Sequence, residues 1–295
     1  MPATASAQKL LELAARLPAA ARILSSLQIL LVDPNTSLED VCALIKLDMA
    51  LTARAISISN SAYYGLSAKN SSLEEAVGYV GFNEVYKLVA ITVATQMAQD
   101  DLRFYRCSAL RLWENTMAHA LAMEALAQFA GIHPRHAYTA GMMRSLGKSV
   151  LEMFAREALA PSQAFDPSAG QTLEAWEHAT FGCDSAAVGA RVLRTWHFPE
   201  EICAAVEGQR HPAGKGALLL YLSTRVVHEL GLDLPGEDSL WEKPDAADLA
   251  AAGFGETEMR LAWLQAKAMF ERLQLALQQP AKISAPKLTA ALAAK

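Results

Sequence analysis

Cysteine is scarce in this chain. Cys42, Cys107, Cys183 and Cys203 are the four in 295 residues, and no two are spaced as CxxC. That leaves no thioredoxin-like redox pair and no cysteine-based zinc motif, and the scattered thiols read as free, buried side chains of a reducing compartment. Long apolar runs are also missing. The longest, Ala217 to Leu222, is cut by Ser223, Thr224 and Arg225, far short of the ~18 residues of a membrane span. Lys9, Glu12 and Arg16 interrupt the first segment, so no secretory leader is visible. Positive charge is in deficit, with 26 Lys and Arg against 31 Asp and Glu and a net charge of −5, which argues against a duplex-DNA binder. These absences point to a cytoplasmic protein with neither membrane nor nucleic acid as partner. There is no GxSxG, HExxH, GxGxxG or P-loop, and Gly147-Lys148-Ser149 lacks the upstream glycine of the last.

What is present is the composition of a globular protein, 52% hydrophobic and 19% charged, long enough for one large domain or two small ones. The pattern is helical almost throughout. Leu38, Val41, Leu44 and Ile45 share a face, and so do Trp113, Met117 and Leu121, and Val188, Val192 and Trp196. Ser37 with Asp40, and more cleanly Ser72 with Glu75, read as capping boxes. Pro134 suits the first turn of a helix running toward Lys148, and Pro199 that of the helix with Ile202 and Val206. Leu88 to Val93 is rich in β-branched residues, but the surrounding pattern is long enough to favour a buried helix. Loops are expected at 160–171 and 231–245, where prolines and glycines gather. The chain is therefore expected to be all-α. Two acids at Asp100-Asp101 mark the region where a first helical part, residues 1–105, gives way to a second, 106–278, followed by a flexible tail at 279–295.

Several segments follow one another in a telling order. Leu47-Asp48-Met49-Ala50-Leu51-Thr52-Ala53-Arg54 leads to Asn60-Ser61-Ala62-Tyr63-Tyr64-Gly65-Leu66, then Ser71 to Ala76 and Val80-Gly81. Leu112-Trp113, Ala140 to Lys148, Phe181-Gly182, Val188-Gly189 and Phe198 to Ile202 come later. From Leu17-Pro18 over about three quarters of the chain, this order resembles the HDOD family, the HD-related output domain of bacterial signalling proteins. The resemblance implies a multi-helix fold, an N-terminal helical subdomain packed on an HD-like one, and a non-catalytic regulatory role.

HD phosphohydrolases hold one or two divalent metals with His and Asp ligands on several helices. In this alignment of motifs the central His-Asp pair becomes Arg144-Ser145, while Leu146-Gly147-Lys148 keeps its frame. The first histidine falls at Asn115 and the last aspartate near Thr224, with no carboxylate within two positions. His119 lies one turn beyond Asn115. The guanidinium of Arg144 repels a divalent cation, so neither metal nor cofactor is expected, and the chain is not expected to be an enzyme. Arg144 with Lys148 could hold a nucleotide-like anion; the plainer alternative is a salt bridge from Arg144 to a nearby Asp or Glu. The resemblance implies that His211, beside Arg210, is the remnant of a paired histidine. His133 and His136 form a weak chelate pattern, or His133 caps a helix; His178, His197 and His228 stand alone.

Asn60, Tyr63 and Tyr64 offer either a partner surface or, the preferred reading, a structural corner turned at Gly65. The expected function is a regulatory module binding a protein of a two-component, chemotaxis or cyclic-dinucleotide pathway. A sensor of an anionic ligand in the former HD pocket is the alternative, and a divergent phosphohydrolase the remotest one.

Overall fold

The structure is a computed structural model, which describes residues 5–60, 70–237 and 246–278. It is all-α. In chain order the helices are α1 (Ala7–Ala14), α2 (Ala20–Leu30), α3 (Leu38–Ile45), α4 (Met49–Ser59), α5 (Leu73–Val80), α6 (Phe82–Met97), α7 (Ala109–Ala130) and α8 (Pro134–Met143). They continue with α9 (Leu146–Ala158), α10 (Leu173–Phe181), α11 (Ser185–Thr195), α12 (Glu200–Glu207), α13 (Lys215–Glu229), α14 (Ala246–Ala252) and α15 (Glu256–Gln278). Among the described residues there is no strand, only an isolated bridge between Leu102 and Cys107. No described helix is long and apolar enough to cross a membrane.

The chain forms two compact units. Of the described residues, one comprises those of 18–99 and 269–278; the other comprises those of 5–17 and 100–268. This differs from a linear division at residue 105. The cause is α1, which packs on α9 and α11. The Ala5 amide donates to the Phe181 carbonyl at 3.0 Å, and Lys9 and Arg16 both pair with Glu157. The tail expected at 279–295 lies outside the described residues.

In the unit of α2 to α6, α6 packs against α2, α4 and α5. Val85, Leu88, Val89, Ile91 and Val93 are all buried on it, so the β-branched run is indeed a core helix. Its Thr92 and Thr95 hydroxyls donate to the Leu88 and Ile91 carbonyls, which satisfies them without leaving the helix. The Ser37–Asp40 capping box is complete. At α5 Ser72 caps the Glu75 amide, but the Glu75 carboxylate accepts from the amide and hydroxyl of Ser71, one residue short of a true box.

The other unit is built around α7, which packs on α8 and α13. Trp113, Met117 and Leu121 are buried there as the spacing predicts; each such side chain contributes about 1.5–3 kcal/mol by leaving water. Ser108 caps its start, and Gly131 ends it at φ 64°, a conformation suited to glycine. The helix expected to run from Pro134 toward Lys148 is two helices. Pro134 opens α8, with His133 accepting the Arg135 amide as its cap, and the chain breaks at Arg144-Ser145 before α9. Gly147 explains the geometry: a Cβ there would lie 1.8 Å from the Ser185 carbonyl oxygen. Only glycine lets the start of α9 lie this close to the start of α11.

Candidate functional site

The break between α8 and α9 places three polar side chains in the interior. Arg144, Ser145 and Lys148 are all buried. α7 adds Asn115 and His119, one turn apart and also buried. α13 adds Ser223, and the loop after it adds Glu237, buried likewise. Long polar side chains are rarely buried unless paired, and the pairing here is specific.

Arg144 Nη1 donates to both carboxylate oxygens of Glu237, at 2.8 and 3.0 Å. Lys148 Nζ donates to Glu237 Oε1. Two cations therefore flank one carboxylate. Burial alone would raise the Glu237 pKa, but the charges of Arg144 and Lys148 more than reverse this and hold it below the usual range. Burial lowers the Lys148 pKa, with Glu237 opposing.

His119 Nδ1 lies 2.8 Å from Ser223 Oγ. The Ser223 hydroxyl donates to the Leu220 carbonyl at 2.6 Å, so its one hydrogen is committed and His119 Nδ1–H is the donor. Burial, then the nearby Arg144 charge, pushes the His119 pKa well down. The imidazole is neutral, with its proton on Nδ1.

The loop that carries Glu237 is tied down. Asn115 Nδ2 donates to the Leu232 carbonyl at 2.9 Å and Arg111 to that of Gly231 at 2.7 Å. Gln209 Nε2 donates to the carbonyls of Arg144 and Val206. Among the described residues, Asn115 Oδ1, Arg144 Nε and Ser145 Oγ are buried without a hydrogen-bond partner.

The sequence candidates divide accordingly. Asn115, His119, Arg144, Ser145 and Lys148 share this interior. Thr224 does not join them: its hydroxyl donates to the Tyr221 carbonyl, and its neighbour Ser223 faces His119 instead. The expected position is one residue out, and on a helix such as α13 adjacent side chains point about 100° apart. His211 is exposed and meets Glu174 at 3.1 Å, so it is not part of the cluster. Arg210 is, by contrast, buried in a second ion pair, 2.8 Å from Glu177, whose carboxylate also accepts from Tyr105 and from the Ser185 amide.

The Asn60 side chain binds the Asn70 backbone. Its Nδ2 donates to the Asn70 carbonyl at 2.8 Å, and its Oδ1 accepts from the Asn70 amide at 2.7 Å. Its backbone is at φ −86°, so it makes no use of left-handed geometry. Tyr63 and Tyr64 lie outside the described residues. Glu237 escapes a reading of the sequence because nothing around it marks it; only the expected loop at 231–245 contains it.

An HD metal centre needs converging His and Asp ligands. The positions here hold Asn115, Arg144, Ser145 and Ser223, and two fixed cations face the one carboxylate. This donor set does not fit a divalent metal. Among the described residues no three His, Cys, Asp or Glu side chains converge as a metal site.

The HDOD domain matches residues 17–212, and the chain belongs to the HDOD family. The solved structure of an HDOD domain protein with unknown function from Geobacter sulfurreducens shares the fold, with a TM-score of 0.64, 18% identity and coverage of 90% of this chain and 97% of that one. A candidate phosphohydrolase from Shewanella amazonensis SB2B gives 0.65 at 22% identity, covering 91% of this chain and 98% of that one. A candidate signal transduction protein from Marinobacter aquaeolei VT8 gives 0.64 at 20% identity, covering 88% and 58%. An uncharacterised protein of Treponema pallidum (strain Nichols) is 25% identical over 174 residues, 58% of this chain. The chain spans about a third of the length of that curated relative, 33%.

Proposed function

We propose that this HDOD chain is a non-catalytic regulatory module that acts in the cytoplasm by binding a signalling protein. One observation carries this reading: Glu237 bridges Arg144 and Lys148 in the interior where a hydrolase of the HD type keeps its metal ligands. The scaffold helices are retained, while the polar groups at their centre are spent on one another. A buried ion cluster of this sort fixes a particular packing, which suits a protein whose output is a surface rather than a reaction. The signalling description of the Marinobacter relative agrees with this role.

The test has two arms on the full chain. With Mn²⁺ or Mg²⁺ added, the purified protein is expected to leave bis-p-nitrophenyl phosphate unhydrolysed; metal-dependent turnover abolished by His119→Asn would establish the phosphohydrolase description of the Shewanella relative instead. Tagged protein recovered from its own cells is expected to enrich a kinase, response regulator or cyclic-dinucleotide enzyme. Failure to enrich any of these removes the partner-binding reading.

A second reading, an anion sensor, draws on the same interior. Two cations face one carboxylate, and Arg144 Nε and Ser145 Oγ have no partner among the described residues. A nucleotide phosphate would have to displace Glu237. Under this reading cyclic dinucleotides raise the melting temperature, and more so in Glu237→Gln.

A further inference from the structure

The interior cluster does not balance its charge. Arg144 is a cation at any pH, and Lys148 Nζ donates to the ionised Glu237. These three side chains expose 2%, 2% and 5% of their surface. His119 is neutral, and the Arg210–Glu177 pair, whose two charges act on Lys148 in opposite senses, adds nothing. Among the described residues, one buried positive charge is therefore left over. An unmatched charge in a low-dielectric interior is costly.

Unused donors lie at the same place. Arg144 Nε and Ser145 Oγ have no hydrogen-bond partner among the described residues, and both residues are more than nine-tenths buried. Ser145 is the N-cap of α9, a helix of 13 residues. A serine there ordinarily accepts an amide of the first turn, but the Ser145 hydroxyl accepts none. The first turn also holds no acid to answer the positive partial charge of the helix start. Asn115 Oδ1 is unpartnered as well, but as an acceptor it has nothing to give an anion. Arginine, serine and helix end thus offer positive charge and N–H or O–H groups together.

We propose that the buried start of α9 binds a small monovalent anion of the size of chloride, held by Arg144 Nε, Ser145 Oγ and the helix N-terminus. One negative charge completes the cluster, and a dianion would overshoot it. As in the sensor reading, on which this rests, the interior accepts an anion; here Glu237 keeps its place.

Crystals of the full chain soaked in sodium bromide are expected to show an anomalous peak within hydrogen-bonding reach of Arg144 Nε and Ser145 Oγ. In solution, urea midpoints are followed at fixed ionic strength as sodium gluconate is exchanged for sodium chloride. The native chain is expected to gain stability in a saturable way. Ser145→Ala is expected to weaken chloride binding at least about tenfold, through loss of a hydrogen bond to a charged group. Lys148→Met leaves the cluster neutral and is expected to abolish the chloride effect; if that variant does not fold, the bromide peak in the native chain decides. Absence of the peak overturns the assignment. So does an equal chloride effect in native chain and Lys148→Met, which would mean an adventitious ion only. Stabilisation by cyclic dinucleotides without any halide effect also overturns it, and leaves the sensor reading standing.

Discussion

Arg144 and Glu237 are 93 residues apart in sequence, and their side chains meet in the interior at 2.8 Å. Lys148 shares the carboxylate from one turn further along the chain, on α9. A loop carboxylate thus neutralises an arginine and a lysine in the interior.

Removing one member of the cluster strands the others in low dielectric. Glu237→Gln is expected to cost about 3–5 kcal/mol, the range for breaking a buried ion pair. Replacing all three by Arg144→Met, Lys148→Met and Glu237→Leu is expected to recover most of that loss, because no buried charge is left unpaired. Urea denaturation of the native chain, the three single variants and the triple variant measures both. Strict additivity of the single effects would disprove the coupling.

Acid should destabilise the fold in two windows. His119 has a folded pKa well below its unfolded value of about 6.5. Its contribution is complete above about pH 6.5 and falls as the pH drops toward the folded value, because the unfolded chain binds the extra proton. Glu237, also lowered, contributes fully above an unfolded pKa of about 4.3 and loses that contribution below it. His119→Asn keeps a donor to Ser223 and is expected to flatten the stability profile between pH 7 and 5. A residual slope remains from His133 and His136, which shift in the same direction. Glu237→Gln is expected to flatten the profile below pH 4.5 and leave the upper window alone. Denaturant midpoints across pH 3–8 decide the matter.

Gly147→Ala places a methyl group 1.8 Å from a carbonyl oxygen of the α11 backbone. The helices must separate, and the expected loss exceeds about 2 kcal/mol. Gly214→Ala is the control: a Cβ there would meet nothing within 4 Å, and the backbone is extended at φ −154°. Thermal melts are expected to show a large drop for the first and almost none for the second.

Asn60→Ala removes two hydrogen bonds to the Asn70 backbone. The expected cost is about 1–3 kcal/mol, since part-buried backbone groups lose their partner. Hydrogen exchange should show the Asn70 amide losing protection. Unchanged protection there would mean that the clamp does not hold.

Much of the fold is legible in sequence because its signals are local. Helical spacing places Trp113, Met117 and Leu121 in the core, Ser37 with Asp40 marks a helix start, and Pro134 opens α8. Spacing does not reveal the break at Arg144-Ser145. Both residues are compatible with a helix, and local propensity gives no reason for the chain to break there. The Arg144 side chain is expected either on an anion or in a salt bridge, and the salt bridge is what the structure holds.

The sequence by itself determined the all-helical architecture, the membership in the HDOD pattern, and the loss of the His-Asp pair, since each is written in the type and period of neighbouring residues. Tertiary structure alone decided what Arg144 and Lys148 meet. It chose Glu237 from a loop, set Ser223 rather than Thr224 against His119, and joined α1 to the unit that includes Asp100. Those outcomes depend on contacts between residues tens to hundreds of positions apart, which packing fixes and local propensity does not.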